Sequence, residues 1–330
     1  GRVEPRLKGD ATLAAPLWRA CRRREVGTVF EIGKPTLTAE TRRGLPGSYV
    51  ELPTGVTHYE LRGAPDGHCV VLIHGNAAPY VSWDNTIDDL VGAGLRVLRY
   101  DVLGHGFSDR PPLRTYDNAL YVTQLVELID HLGIAYPVSV VGTSQGGSIG
   151  AHFAAANPGR VDRLALLAPL FDDYRGKGSV LEKIMTTPLV GEVLLNLVGD
   201  SKIPDLTGRI GEPEKKAALE SEVAKQLQFR GKPAAILANL RGDSFTNPTA
   251  AYEQVKTQGI PTLLLWGTED KLLPEDSMLR LRDLIPDIEY HQIDGASHVA
   301  HYEYPERVTP ILVEFLTRPA AKEAPLRAAG

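Results

Sequence analysis

The chain has 330 residues, of which 43% are hydrophobic and 23% charged, so it can bury one large core or two smaller ones. Its formal net charge of −5 lacks the basic footprint of a nucleic-acid-binding protein. No apolar run approaches the ~20 residues that span a bilayer, two cysteines make no disulfide framework, and no metal-ligand spacing occurs. The sequence therefore predicts no metal, no nucleic-acid partner and no transmembrane segment.

Residues 1–45 form an N-terminal arm with the least regular pattern in the chain. The arm contains a short helix-like segment with Leu17 and Trp18, followed by three arginines at 22–24. Such a segment fits a weak contact with a membrane surface, whereas the simpler interpretation is a solvated arm that packs on the main domain. We favour the second and expect a cytoplasmic protein, although a signal or anchor removed from the N-terminus would leave no trace.

From residue 46 onward, short apolar runs alternate with helix-like patterns. Strands are predicted at 49–52, 57–62, 69–73, 95–100, the run beginning at 138, 164–168, 262–266 and 288–293. Helices are predicted at 82–94, 116–132, the segment from about 145 to 156, 277–284 and 305–315. This alternation predicts an α/β fold, in which a mostly parallel sheet is covered by helices on both faces. We assign residues 46–169 and 259–317 to this core and expect a flexible tail at 318–330.

The alternation stops between residues 170 and 258, where helix-like segments at 179–198, 212–229 and 232–240 follow one another. We interpret 170–258 as a helical cap inserted between two strands of the sheet. The segment at 179–198 is rich in Val, Leu and Ile, which favours a hydrophobic acyl or alcohol pocket. The alternative is that most of these residues pack the cap onto the core.

The most informative motif is Gly142-Thr143-Ser144-Gln145-Gly146, which follows an apolar strand and precedes a helix-like pattern. Strand, sharp turn and helix are the layout of a nucleophile elbow, with the serine at the tip of the turn. The two glycines suit that turn because a Cβ at either position would crowd the adjoining strand or helix. A plain strand-to-helix turn is the alternative, and matching partners downstream favour the elbow.

A serine hydroxyl needs a base and an orienting carboxylate to act as a nucleophile at neutral pH. His298 is the predicted base because it follows the last strand, and His301 is the second choice, with an exposed place at a helix start as its simpler interpretation. Asp270, which ends a strand in Trp-Gly-x-x-Asp, is the predicted acid, with Asp172 and Asp173 as alternatives. The resulting chain order Ser, Asp, His is the one that accompanies this elbow in an α/β sheet.

Acyl transfer also needs hydrogen-bond donors for the developing oxyanion. We predict the backbone N–H groups of Gln145, next to the nucleophile, and of Asn76, which follows His74-Gly75, with the Asn76 side chain as a further donor. His74 is expected to hold this loop in place. His105 is expected to be a turn residue.

In these motifs and their order, the sequence resembles the α/β-hydrolase superfamily over roughly residues 48–316. The matching pieces are His74-Gly75-Asn76, Asp101-x-x-Gly104-His105-Gly106-x-Ser108, Gly142-x-Ser144-x-Gly146-Gly147, Trp266-Gly267-x-x-Asp270 and Gly295-x-x-His298. The resemblance implies an eight-stranded sheet, a helical cap over the site, no cofactor and hydrolysis through an acyl-enzyme. It is greatest to the esterase, monoacylglycerol-lipase-like and C–C-bond hydrolase branches. Ser144 departs from the dehalogenase and epoxide-hydrolase branches, whose nucleophile is an aspartate.

The sequence therefore predicts a serine hydrolase that cleaves carboxylic esters of hydrophobic small molecules or lipids with Ser144, His298 and Asp270. Cleavage of a C–C bond next to a carbonyl, or perhydrolysis, is an alternative with the same triad. A third alternative is a ligand-binding protein of this fold without catalytic activity. None of the three requires a cofactor.

Overall fold

The computed structural model describes Glu31 and residues 33–76, 78–172, 187, 190–191, 210–246 and 248–319. Within these residues, eight strands form one sheet in the order β1-β2-β4-β3-β5-β6-β7-β8. The strands are β1 (Ser48–Leu52), β2 (Gly55–Arg62), β3 (Cys69–Ile73), β4 (Arg96–Tyr100), β5 (Val138–Thr143), β6 (Val161–Leu167), β7 (Thr262–Gly267) and β8 (Glu289–Ile293). The fold is the predicted α/β fold with an eight-stranded sheet.

Strand β2 runs antiparallel to both of its neighbours, β1 and β4, while every other neighbouring pair is parallel. A two-residue turn joins β1 to β2, which is long enough only for an antiparallel pair. The parallel strands β3, β5 and β7 are buried along their whole length. Their continuous apolar runs follow from coverage on both faces of the sheet.

Two layers of helices cover the sheet. In the part of the chain that the structure describes, the helices are α1 (Ala39–Arg42), α2 (Asp84–Gly92), α3 (Asn118–His131), α4 (Gln145–Ala156), α5 (Pro213–Leu227), α6 (Lys232–Arg241), α7 (Thr249–Thr257), α8 (Glu275–Leu284), α9 (Ala300–Glu303) and α10 (Pro305–Thr317). One buried cluster joins α3, α4, α7 and α8 to the sheet, and a second joins α2 and α10 to the opposite face. Because the helices cover the faces of the sheet, the carboxyl ends of the parallel strands lead into loops, and these loops carry polar side chains.

Most predicted elements agree with the structure to within a few residues, and the differences have local causes. Strand β6 begins at Val161 rather than 164, because Val161 already pairs with Val138 of β5, and the charged Asp162 and Arg163 hide these first positions in the apolar pattern. The predicted helix at 82–94 begins as a 3₁₀ turn, Tyr80–Trp83, before α2. Helix α7 was not predicted. It packs on α4 and buries Tyr252 in the core of the sheet.

The segment predicted as a cap is described in part. Its predicted helix at 179–198 lies outside the described residues apart from positions 187, 190 and 191. Helices α5 and α6 match the predicted segments at 212–229 and 232–240. The division into core and cap stays a prediction.

The described end of the N-terminal arm contacts the turn between α5 and α6. Arg230 donates its backbone N–H to the carbonyl of Pro35 at 3.0 Å, and Gly231 donates to Glu31 Oε1 at 2.8 Å. The rest of the arm lies outside the described residues, so its predicted contact with a membrane surface stays a prediction.

Candidate active site

Ser144 stands at a sharp turn between β5 and α4. Its backbone has φ 52° and ψ −119°, a region that a residue with a Cβ adopts only at a cost in free energy. Backbone hydrogen bonds hold it there: its N–H donates to the carbonyl of Leu167 at 2.9 Å, and its carbonyl accepts from the N–H groups of Leu170 at 3.0 Å and Gly147 at 3.1 Å. The turn therefore has the strained geometry of a nucleophile elbow.

The glycines of the motif are required by close backbone contacts. A Cβ on Gly142 would lie 2.3 Å from the carbonyl oxygen of Gly146, and a Cβ on Gly146 would lie 2.2 Å from that of Ile73. Neither oxygen can move without disturbing a strand or a helix. The elbow can form in this position because both residues lack a side chain.

His298 and Asp270 are joined by a hydrogen bond at the carboxyl ends of β8 and β7. Nδ1 of His298 lies 2.7 Å from Oδ2 of Asp270, and both side chains are buried. Oδ1 of Asp270 accepts the N–H groups of Leu272 at 2.8 Å and Leu273 at 3.0 Å. An ionised carboxylate only accepts hydrogen bonds, so Nδ1 of His298 carries the hydrogen and Nε2 keeps the lone pair that a base needs.

The two loops that carry this pair are held together by backbone contacts. The N–H of Thr268 donates to Ile293 at 3.1 Å, and the N–H of Glu269 donates to Ala296 at 2.9 Å. Gly267 allows this approach, because a Cβ there would lie 2.3 Å from the carbonyl oxygen of Ala296. The position of His298 against Asp270 is thus set by the ends of adjacent strands.

A buried carboxylate next to His298 was not predicted. Oε2 of Glu303 accepts the backbone N–H of Ser297 at 2.8 Å and its hydroxyl at 2.6 Å, and Oε1 accepts the N–H of Gly211 at 2.7 Å. Glu303 thus fixes the residue that precedes His298 and ties the start of the α5 segment to it. A single glutamate in a short stretch after the histidine carries no sequence signal of this role.

The residues predicted as the alternative base and acids have other surroundings. His301 is fully buried rather than exposed at a helix start, and its ring lies 4.1 Å from that of Trp83, measured between centroids. Burial, with a smaller contribution from His298, lowers the pKa of His301 to about 3, and neither ring nitrogen has a partner among the described residues. Asp172 accepts from the Ser277 hydroxyl at 2.7 Å. Asp173 lies outside the described residues.

The two predicted oxyanion donors follow the neighbouring strands β3 and β5. A Cβ on Gly75 would lie 3.2 Å from Cβ and 3.8 Å from Oγ of Ser144, so the loop that carries Asn76 passes beside the serine. In the part of the chain that the structure describes, the backbone N–H groups of Asn76 and Gln145 have no acceptor. Neither N–H group is therefore committed to an acceptor among these residues, and their role as oxyanion donors stays a prediction.

The buried histidines of the neighbouring loops make hydrogen bonds that hold those loops in place. Nε2 of His74 accepts the N–H of Val102 at 3.0 Å, and burial lowers the pKa of His74, so its ring is neutral and holds this loop as predicted. His105 does more than form a turn, since Nε2 lies 3.0 Å from Oδ1 of Asn76. Burial and the nearby Lys232 lower the pKa of His105 well below its usual range.

Within the described ranges, no cluster of His, Cys, Asp and Glu side chains is arranged to hold a metal ion. Of the helices in those ranges, none has both the length and the apolar character needed to cross a membrane.

Comparison with known proteins places the fold and these motifs in a family. The sequence model described as the alpha/beta hydrolase fold matches residues 69–305. The chain belongs to the α/β-hydrolase family. The family assignment agrees with the resemblance seen in the sequence.

This α/β-hydrolase is similar to curated proteins over most of their length. A 2-hydroxy-6-oxononadienedioate/2-hydroxy-6-oxononatrienedioate hydrolase of Pseudomonas putida is 28% identical over 261 residues, which cover 75% of this chain and 87% of that protein. An uncharacterized protein of Mycobacterium bovis is 26% identical over 325 residues, 93% of this chain and 89% of that one.

Solved structures share its fold. A carboxylesterase of Nitrososphaera gargenis has a TM-score of 0.69 at 20% identity and covers 82% of this chain and 97% of its own. The enol-lactonase of Burkholderia xenovorans LB400 has a TM-score of 0.67 at 22% identity and covers 82% of this chain and all of its own. At these identities the likeness shows the fold.

The second unpredicted residue of this α/β-hydrolase is Asn239 on α6, whose side chain contacts those of Asn76 and Gln145. The sequence carries a partial signal, because Asn239 is a single amide in the otherwise apolar stretch from Ala234 to Leu240. Such a residue is expected to have a buried polar partner. The partners themselves are about 94 and 163 positions away along the chain, beyond the reach of pattern reasoning.

Proposed function

We propose that this α/β-hydrolase cleaves carboxylic esters of hydrophobic small molecules or lipids through an acyl-enzyme on Ser144. The observation that supports this most is a strained elbow serine in the same sheet edge as a hydrogen-bonded pair of His298 and Asp270. A strained non-glycine turn persists where the surrounding structure holds it, and such turns concentrate at functional sites. Nucleophilic acyl transfer is a chemistry that uses all three residues.

In this mechanism Oγ of Ser144 attacks the ester carbonyl while Nε2 of His298 takes its proton. Asp270 keeps the imidazole in the required tautomer and stabilises its cationic form. The N–H groups of Asn76 and Gln145 donate to the oxyanion, and each such donor is typically worth about 3 kcal/mol of transition-state stabilisation. His298 then protonates the leaving alcohol, and water repeats the cycle on the acyl-enzyme.

Cleavage of a C–C bond next to a carbonyl is the second candidate, because the Pseudomonas putida relative is named as a hydrolase of two keto dioates. A dioate carries two negative charges, which a buried site must neutralise. The side chains that contact those of Asn76 and Gln145 include Asn239 and His105, and the lowered pKa of His105 keeps its ring neutral. Neither of these two contacts supplies a positive charge to a dioate, so we rank an uncharged ester first.

The test is fluorophosphonate labelling beside hydrolysis of p-nitrophenyl esters of increasing chain length. We expect the wild type to label and to turn over, and Ser144→Ala to lose both, with a rate loss of at least ~10³-fold. Ser148→Ala, a buried serine one turn along α4, is the matched control and should keep both activities. Labelling of Ser144→Ala would refute the assignment of the nucleophile, and a wild type that neither labels nor turns over would favour a ligand-binding protein.

A vinylogous keto dioate separates the two candidate reactions on the same enzyme preparation. We expect kcat/KM for the best p-nitrophenyl ester to exceed that for the keto dioate. The opposite ranking, with Ser144→Ala inactive on both, would keep the triad and replace ester hydrolysis by C–C cleavage.

A further inference from the structure

One fully buried amide connects the two predicted oxyanion donors. Nδ2 of Asn239 donates to Oδ1 of Asn76 at 2.7 Å and to Oε1 of Gln145 at 3.2 Å. Oδ1 of Asn239 accepts from Nε2 of Gln145 at 2.8 Å and from the hydroxyl of Tyr121 at 2.9 Å. Asn239 has no exposed surface, and Gln145 and Tyr121 have almost none.

These four bonds use the entire hydrogen-bonding capacity of the Asn239 amide, which has two N–H donors and two acceptor sites. A buried polar group that loses its partner costs about 1–3 kcal/mol, so each contact resists displacement of the group that makes it. Because Asn239 and Gln145 exchange bonds in both directions, the pair also has a defined relative orientation. Networks of this kind, fully satisfied, keep the participating elements in one arrangement.

The partners of Asn239 are the residues whose N–H groups are left without acceptors beside Ser144. Asn76 lies in the loop after β3, and Gln145 is the first residue of α4. Oxyanion stabilisation depends on donors that already converge before the reaction, and small displacements reduce it. A side chain that holds both residues therefore acts on the geometry of the oxyanion hole from outside it.

We propose that Asn239 is a positioning residue for the oxyanion hole, through which α6 fixes Asn76 and Gln145 relative to Ser144. The proposal rests on the proposed function. Asn239 acts through the two donors, since its side-chain hydrogen bonds among the described residues go to Asn76, Gln145 and Tyr121.

The experiment compares Asn239→Leu with Gln226→Leu as the matched control. Gln226 is an equally buried amide on α5 that accepts the N–H of Gly106 at 2.8 Å and contacts neither Asn76 nor Gln145. We expect Asn239→Leu to lower kcat on p-nitrophenyl butyrate by about ten- to a hundredfold with KM within about threefold, because transition-state stabilisation is lost. Gln226→Leu should keep kcat within about twofold.

Inhibition by phenylboronic acid separates a loss of transition-state stabilisation from a general loss of structure. A general loss of structure would not change the inhibition constant and kcat by the same factor. Phenylboronic acid forms a tetrahedral adduct on the serine, so its inhibition constant should rise in Asn239→Leu by the factor by which kcat falls. Tyr121→Phe is the second variant, since it removes one of the four bonds and leaves those to Asn76 and Gln145. Its kcat should fall by about two- to fivefold, in the same direction.

The proposal would be overturned by an equal loss in Asn239→Leu and Gln226→Leu, by a change in KM with kcat intact, or by unchanged boronate affinity beside a reduced kcat. A wild type that hydrolyses no ester refutes the proposed function itself, and this inference with it. A fully active Asn239→Leu refutes the inference alone.

Discussion

At the scale of single residues, His298 and His301 show how burial separates two neighbouring histidines. His298 has a carboxylate at 2.7 Å and is held by it in one tautomer. His301 stacks on Trp83 and has no partner for either nitrogen in the described part of the chain. A buried imidazole without a carboxylate stays neutral, because its cation would be desolvated without compensation. His301, the second choice of base, is therefore a neutral residue of the core.

The lowered pKa of His301 predicts a pH dependence of stability. Its pKa is about 3 in the folded protein against an ordinary value of 6.5, so below pH 6.5 the unfolded chain binds a proton that the folded chain refuses. The free energy of unfolding should therefore fall by about 1.4 kcal/mol for each pH unit between 6.5 and 3 on account of this residue.

His301→Phe keeps a ring against Trp83 and removes the titration. Urea unfolding at pH 7.5, 6.5, 5.5 and 4.5 should show the variant gaining on the wild type as the pH falls, by roughly 3 kcal/mol at pH 4.5. Ester hydrolysis should persist, since His298 is the proposed base. Parallel stability curves would show that His301 is not held neutral, and loss of activity at full stability would revive it as the base.

At the scale of elements, the elbow depends on contacts between the backbones of β3, β5 and α4. A Cβ on Gly146 would lie 2.2 Å from the carbonyl oxygen of Ile73 and 2.6 Å from that of His74. Both belong to the end of β3 and the loop that carries Asn76. A side chain at this position therefore displaces the elbow, the loop that carries Asn76, or both.

Gly146→Ala should reduce stability by several kcal/mol and kcat by more than about tenfold, because no rotamer relieves a backbone clash. Gly92→Ala is the control. Gly92 ends α2 and its φ is not positive, and a Cβ there would have no atom within 4 Å. That exchange should raise stability by about 0.5–1 kcal/mol through helix propensity. Thermal unfolding and p-nitrophenyl ester kinetics measure both. A Gly146→Ala protein with wild-type stability would show that the elbow can shift without cost.

At the scale of the whole molecule, what the sequence could predict follows from how far apart the interacting residues are. Apolar runs such as Cys69–Ile73 predict their own strand, and the order of Ser144, Asp270 and His298 along the chain predicts which loops carry them. Asn239 and Glu303 could not be assigned, because their partners are set by packing between α6, α9 and the sheet. Helix α7 was missed because its apolar face carries few large residues, mainly Tyr252 and Val255.

The attachment of α5 and α6 to the core depends on long-range contacts of the same kind. Arg110, partly buried, donates from Nη1 to the carbonyls of Phe229 at 2.6 Å and Arg230 at 2.7 Å, and from Nη2 to those of Gln226 at 2.8 Å and Gly106 at 3.2 Å. Burial lowers the pKa of Arg110 to about 10, which leaves it charged at neutral pH. One guanidinium thus satisfies the carbonyls at the end of α5 and binds that end to the loop after β4.

Arg110→Met should therefore release α5 and α6 from the sheet before the sheet itself unfolds. Leaving the carbonyls without a donor costs roughly 3 kcal/mol, which corresponds to about hundredfold faster amide hydrogen exchange if the helices open as a unit. Exchange should accelerate in α5 and α6 and stay unchanged in β3, β5 and β6, while Arg114→Met, at an exposed position four residues on, changes neither. Equal acceleration in helices and strands would mean that both unfold as one cooperative unit, and Asn239 would then be coupled to the oxyanion hole through the stability of the entire fold.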